Sequence, residues 1–309
     1  MKKRIITASI LVLILAPLVI IESKFTHVAY AIVSSLLCMF GAFEVINTMY
    51  KESKELRIYR YIVPLLSFIV SLLAIYATYK TSISNTEYVS GFIYHFYPLL
   101  ASGISILIIF GLMIFTKDSD ARAIMGCVLA IIYSGLLLGY AFSLRFFQAP
   151  ILNGYKVFNV SGIKSFLYVY SIVISTDMFA YFFGRKLGKH KLCPDISPNK
   201  SVEGSIFGLI FGVVVGVGVA LISKIVVLNS PKEWIIGTIL LILFSGLVSI
   251  FDQIGDLIES KFKRSFNVKD FGFIFPGHGG VLDRFDSLLF TGSWYIFIIH
   301  IIQIILLGV

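Results

Sequence analysis

Apolar residues run along this chain in blocks too long and too uniform for either an amphipathic helix or a half-buried strand. Runs of about 20 residues, the length needed to cross the hydrocarbon core of a bilayer, lie near Ile5–Ile21, Val28–Thr48, Tyr61–Tyr79, Pro98–Phe115, Ala121–Phe142, Ile163–Phe183, Ser205–Leu228, Trp234–Gly255 and Ser287–Leu307. They predict an all-α fold, a polytopic integral membrane bundle of about nine transmembrane helices. The first run follows Met1, Lys2, Lys3 and Arg4, and no small-residue cleavage site succeeds it, so it reads as a retained helix and not a removed signal.

The polar positions between the runs orient the bundle. With a cytoplasmic N-terminus, one set of loops carries Lys51, Lys54, Arg57 and Arg60, then Lys117 and Arg122, then Arg185, Lys186, Lys189, Lys191 and Lys200, then Lys261, Lys263, Arg264, Lys269 and Arg284. The opposite set holds only Lys24, Lys80, Arg145, Lys156, Lys164, Lys224 and Lys232. That asymmetry obeys the positive-inside rule and, with an odd number of spans, puts the C-terminus outside. Composition agrees: 58% of the 309 residues are hydrophobic and 14% charged, with a mean hydropathy of +0.92. The net charge of +9 then follows from orientation and contact with anionic lipid head groups, and calls for no nucleic-acid partner. Cys38, Cys127 and Cys193 have neither metal-ligand nor disulfide spacing.

Acidic residues divide the chain. A scaffold region over 1–162 has Glu44 as the acid within its spans, whereas 163–309 places Asp177 in the sixth span, Asp252 and Asp256 at the end of the eighth, and Asp283 and Asp286 at the start of the ninth. Topology gathers all five toward the cytoplasmic side, and ionised groups among membrane helices mark a functional site. The weak boundary between the two regions is the loop with Pro150, Asn153 and Gly154.

Several constellations have both a chemical and a plain structural reading. Asp252, Asp256 and Glu259 share a helix face, and Glu259 can simply pair with Lys263 at a solvated helix end. Asp283 and Asp286 follow Pro276, Gly277, His278, Gly279 and Gly280; they can cap a helix N-terminus, or, beside a low-bulk turn whose amides approach an anion, offer hard oxygen ligands suited to Mg²⁺. Lys261, Lys263, Arg264 and Lys269 are either a lipid-facing charge run or phosphate clamps. Asp177, Tyr181 and Arg185 share one face of the sixth span. Gly204, Gly208, Gly212 and Gly216 recur every fourth residue, which favours close helix packing, while Lys200, Ser201 and Glu203 stand at an N-terminus able to face a phosphate.

Taken together, these residues resemble the phosphatidate cytidylyltransferases, or CDP-diacylglycerol synthases. Ser260, Lys263, Arg264, Lys269, Asp270, Pro276, His278, Gly279, Gly280, Asp283, Arg284 and Asp286 stand where that family's long C-terminal pattern has them. Upstream, Asp177, Ala180, Tyr181, Gly184, Arg185, Gly188, Lys189, Pro194, Ser197, Pro198, Lys200, Glu203 and Gly204 look like its second block, with Ser201 where a Thr is more usual. Gly255, Asp256, Glu259 and Ser260 look like its acidic helix end. The motifs cover the second half of the chain; the first half is similar in hydropathy, Pro17 and Glu44.

The resemblance implies a membrane enzyme, a homodimer in a bacterial inner membrane with its site facing the cytoplasm. It would use Mg²⁺, with room for a second cation, and CTP to convert phosphatidic acid into CDP-diacylglycerol and pyrophosphate. On that reading Asp256 and Asp283 hold the metal, with Asp286 as a further ligand or as an acceptor behind the ligands. Lys263, Arg264, Lys269 and His278 contact phosphate, and Lys200 and Arg185 form a second basic wall, with Asp177, Ser201, Glu203, Ser260, Asp270, Gly279, Gly280 and Arg284 around the substrate. A cytidylyltransferase for another lipid phosphate is the nearest alternative. A CDP-alcohol phosphotransferase would need a D-G-x-x-A-R block that the sequence lacks, and a cation-coupled transporter would set its acids nearer the bilayer midplane.

Overall fold

The computed structural model describes residues 13–49, 57–83, 93–116, 120–149, 152, 160–226, 230–275 and 279–307. Among them are eight helices long and apolar enough to cross a membrane, as expected of an integral membrane protein. Residues 5–12 of the first expected span, Met1 and the basic residues Lys2, Lys3, Arg4, Lys51, Lys54, Lys117 and Lys156, the loop with Pro150, Asn153 and Gly154, and Pro276, Gly277 and His278 lie outside the described residues. Residues 13–20 are helical.

By internal contacts the chain forms two compact units, Met1–Ser143 with Ser265–Phe285, and Leu144–Arg264 with Asp286–Val309. This partition differs from a single cut after 162, because the charged segment 265–285 belongs with the N-terminal helices.

The first unit is built on α1 (Lys24–Met49), α2 (Arg57–Ile83), α3 (Phe96–Phe115) and α4 (Ala121–Phe146), the last contributing up to Ser143. In a medium without water, helices gain little from burying apolar area against each other and associate through close packing and interhelical hydrogen bonds. Both devices are present. A Cβ on Gly139 of α4 would stand 2.8 Å from the Ser71 Cα of α2, so the backbones meet there. The Ser134 hydroxyl donates to the Cys38 carbonyl at 2.6 Å and the Tyr30 hydroxyl to that of Phe142 at 2.8 Å. Around Ser134 the helix widens into a π segment, Ile131–Leu137.

The second unit contains α5 (Gly162–Leu187), strands β1 (Lys191–Cys193) and β2 (Ser197–Ser201), α6 (Val202–Ile222), α7 (Pro231–Ser265) and α8 (Leu282–Leu307, from Asp286 onward). The four-residue glycine stripe does what its spacing predicts. Cβ atoms on Gly204 and Gly208 would come within 2.6 Å of the Ala180 carbonyl and 2.8 Å of the Thr176 carbonyl, so α6 rides directly on α5. Phe179 and Phe183 stack on Phe211 and Phe207 at 4.0 and 4.3 Å beside it. Tyr168 and Thr176 of α5 hydrogen-bond Ser245 and Ser249 of α7 at 2.7 and 2.8 Å.

Two features depart from the hydropathy reading. The connection from α5 to α6 folds into a two-stranded antiparallel hairpin, turned at Pro194 and Asp195 and closed by Ile196 donating to the Cys193 carbonyl at 3.2 Å, as Pro and Asp favour. Helix α7 runs 35 residues, about 52 Å at 1.5 Å per residue, well beyond the roughly 30 Å of hydrocarbon. Its last three turns are held by polar pairs, so the helix carries its acidic end beyond the apolar run.

Candidate active site

The C-terminal part of α7 presents Asp252, Asp256, Glu259 and Lys263 at helical spacing on one face. Asp252 and Glu259 are fully buried, Asp256 half-buried. The Lys263 ammonium pairs with Glu259 at 3.0 Å, the bond expected of the plain reading of these two residues. From α8, Asp286 comes to the same place: it feels the charges of Asp256 and Lys263 and lies beside Glu259. The Asp286 carboxylate also takes the backbone N–H of Ser287 at 2.8 Å.

From β2 the Lys200 ammonium reaches the Asp256 carboxylate at 2.5 Å, and the Ser260 hydroxyl stands 3.4 Å from its other oxygen. Two separate segments, α8 and the hairpin, thus converge on Asp256 of α7. Asp177, exposed on α5, is close enough to bear on Asp252 electrostatically, as are Asp256 and Asp286. Five carboxylates stand near two ammonium groups, an excess of acid over base that a further cation or protonation of the buried carboxyls would relieve.

Asp252 sharpens that conclusion. Both of its oxygens are sealed from solvent without a partner in hydrogen-bond geometry; the Ser287 hydroxyl is near enough to act on it but does not complete a bond. Among the described residues no group of three or more His, Cys, Asp or Glu side chains forms a self-sufficient metal cage. Two neighbouring carboxylates, Asp256 and Asp286, match the habit of Mg²⁺, which keeps waters and takes one or two carboxylates plus substrate phosphates.

The hairpin supplies the N-terminus of α6. Ser201 is its N-cap, accepting from the Gly204 N–H at 3.2 Å. Glu203 turns back to the preceding chain, accepting from the backbone N–H groups of Lys189 and His190 and meeting the His190 ring at 2.6 Å. Arg264 Nε donates to the Ile196 carbonyl at 3.4 Å, bracing the hairpin against the end of α7. Arg185 makes a long bond to the Tyr181 hydroxyl at 3.4 Å on the exposed face of α5, so the shared face read from the sequence is real.

The remaining candidate residues belong to the first unit. Asp283 is buried and accepts from the backbone N–H of Gly280 at 2.8 Å and of Phe271 at 3.0 Å, which is the capping role. The turn before it is closed by Phe275 donating to the Gly279 carbonyl at 2.9 Å, with Gly279 at a φ of +87° that side chains resist. Lys269 and Arg284 are exposed and Asp270 half-exposed. His278 falls outside the described residues.

Glu44 is the residue whose role the sequence left unassigned. Only 3% exposed, it accepts from the backbone N–H groups of Val281 at 2.9 Å and Leu282 at 3.2 Å, so a carboxylate from α1 caps α8 across more than 230 positions of sequence. The signal was its status as a charged residue within a span. Asp252, fully buried on α7, was legible in the same way.

Comparison with known proteins gives a match to the model of the cytidylyltransferase family over residues 2–302. A phosphatidate cytidylyltransferase of Staphylococcus haemolyticus (strain JCSC1435) is 39% identical over 165 residues, 53% of this chain and 55% of the relative. One from Staphylococcus aureus (strain COL) is 45% identical over 130 residues, 42% of this chain and 46% of the relative. The chain spans about half the length of the curated relatives it matches.

Proposed function

The chain belongs to the cytidylyltransferase family, and from that premise we propose that it transfers CMP from CTP to phosphatidic acid, giving CDP-diacylglycerol and pyrophosphate. The observation that carries the reading is the convergence on Asp256: a second carboxylate, Asp286 of α8, and the Lys200 ammonium of the hairpin come to it from separate segments, beside the Glu259–Lys263 pair on its own helix.

In the reaction a phosphate oxygen of the lipid attacks the α-phosphorus of CTP, and the bond from that phosphorus to the bridging oxygen of the pyrophosphate breaks. A phosphate monoester has a second pKa near 6, so the nucleophile is largely dianionic at neutral pH and needs no general base. The obstacle is repulsion between two anions that must approach in line, and groups that spread the accumulating charge supply the catalysis. Asp256 and Asp286 would hold Mg²⁺, with Asp252 behind them; the bound ion would neutralise phosphate charge and orient the triphosphate. Lys200 and Lys263 each sit on a carboxylate in the resting protein and are placed to exchange it for a phosphate oxygen. Arg264, at the same end of α7, extends the cationic surface.

The finer expectations belong to the same proposal. They are a bacterial cell membrane with the N-terminus and site on the cytoplasmic side, by the loop charges, and a homodimer, by the family resemblance.

The test is transfer of radiolabel from α-labelled CTP into the lipid phase by the purified full chain with phosphatidic acid and Mg²⁺, alongside other lipid phosphates. Label in CDP-diacylglycerol with stoichiometric pyrophosphate is expected. Label in the product of another lipid phosphate alone would keep the reaction and discard the substrate, and no label with any acceptor would discard both.

A further inference from the structure

A lysine ammonium rides on a flexible four-carbon stem, so a lysine that must stand at one carboxylate needs its backbone held. Lys200 lies near the end of β2, next to the N-cap of α6, and its ammonium reaches Asp256 of α7 at 2.5 Å. Two contacts hold that strand. Successive side chains of a strand point to opposite faces. Ser201 is buried over Gly184 in the last turn of α5 and Gly188 just after it, where Cβ atoms would stand 3.0 and 2.6 Å from its hydroxyl, and Lys200 accordingly faces α7.

Glu203 sets the place of the strand along its own axis. Its Oε2 accepts from the backbone N–H of Lys189 at 3.1 Å and of His190 at 3.2 Å, and its Oε1 meets the His190 ring at Nδ1, 2.6 Å away. The Val202 N–H donates to the His190 carbonyl at 2.9 Å. Residues 189–190 are thereby tied to 202–203 across the open end of the hairpin, in the register that pairs Lys191 with Ser201. The clasp lies at the surface: the His190 side chain is 78% exposed and that of Glu203 24%. Exposed ion pairs add little to global stability, and water can take the two amides if Glu203 is removed. A two-stranded ribbon is marginal by itself in water, so what the clasp holds is the hairpin and the lysine it carries.

We propose that Glu203 is a positioning residue: by closing the base of the hairpin on Lys189 and His190 it holds Lys200 at Asp256, and it touches neither substrate nor metal. This replaces the substrate contact that the family resemblance implies for Glu203. For its effect on turnover the role rests on the reaction proposed above; the clasp itself rests on the contacts of α5, the hairpin, α6 and α7.

The deciding experiment reads Lys200 directly. The purified full chain in micelles is treated with limiting acetic anhydride, and acetylation of each lysine is quantified by mass spectrometry. In the wild type Lys200 is expected to react severalfold more slowly than Lys189 and Lys191, which are exposed and make no ion pair among the described residues. Glu203→Ala should bring Lys200 to the rate of those two, as Asp256→Asn does by removing its partner, with the melting temperature nearly unchanged, as for most surface substitutions. Glu203→Gln, which keeps an acceptor for the amides, should stay close to the wild type. Slow acetylation of Lys200 that persists in Glu203→Ala would overturn the proposal, and so would a large fall in melting temperature, which would make Glu203 a support of the whole fold. In transfer from CTP, Glu203→Ala should lower kcat/KM about tenfold to a hundredfold, the scale of a displaced catalytic group, and cost nothing further in a Lys200→Ala background. Losses that multiply would mean that Glu203 acts on substrate or metal itself, and the assignment falls. If acetylation of Lys200 responds as expected while the wild type transfers no label from CTP, the clasp stands and the reaction assigned to the protein falls.

Discussion

Removing Glu44 tests how a charge buried in α1 governs the start of α8. Its carboxylate satisfies two amides in a site 3% exposed, and each buried N–H left without an acceptor costs about 1–3 kcal/mol. Loss of the negative charge at a helix N-terminus adds about 0.3–1 kcal/mol. Glu44→Ala should therefore destabilise the protein by roughly 2–7 kcal/mol, and Glu44→Gln, which keeps one carbonyl oxygen, by roughly 1–3 kcal/mol.

Gly280 makes the reasoning sharper, because a Cβ there would overlap the Glu44 carboxylate itself. Gly280→Ala alone should cost about 1–3 kcal/mol through overpacking. In a Glu44→Ala background the offending group is gone, and the added methyl group should cost little. Equilibrium unfolding of the four proteins in mixed micelles of fixed composition closes the double-mutant cycle, with an expected coupling of at least about 1 kcal/mol. Additive losses, within about 0.5 kcal/mol, would refute the claim that Glu44 fills the space against Gly280 and caps α8.

Three further outcomes are expected. Asp256→Asn should remove CTP-dependent transfer while the protein still inserts and elutes as wild type from size exclusion; near-normal turnover would refute the ligand role of Asp256. Gly208→Val, which drives a branched side chain into the Thr176 carbonyl and Ala180, should separate α5 from α6 and lower the melting temperature, whereas Gly218→Ala on the same helix, with open space around its Cβ, should be neutral by the same measurement. Chelation by EDTA should abolish transfer and Mg²⁺ restore it; activity that survives exhaustive chelation would exclude Asp256 and Asp286 as ligands of an essential ion.

Hydropathy alone determined that the chain is a membrane bundle, because hydrocarbon admits only apolar runs whose backbone bonds are satisfied internally, and the described spans lie where those runs do. The glycine stripe and the Glu259–Lys263 pair were equally legible, since helical periodicity fixes neighbours three and four residues away without reference to the rest of the fold. Motif spacing selected Asp256, Asp286, Lys200 and Lys263 as site residues.

Tertiary structure decided which partner each polar group has. Asp283 and Asp286 are alike in sequence, three residues apart behind the same glycines. The first is taken by the amides of Phe271 and Gly280, and the second turns to the acids of α7. The hairpin that delivers Lys200 to Asp256 carries no hydropathy signal, because its residues are polar and its pairing depends on a turn. Glu44 contacts a helix start more than 230 residues away, a pairing that exists only once those segments meet. Periodicity is a local property that a single helix imposes on its own residues; the satisfaction of a buried charge is settled by whichever distant segment brings the complementary group.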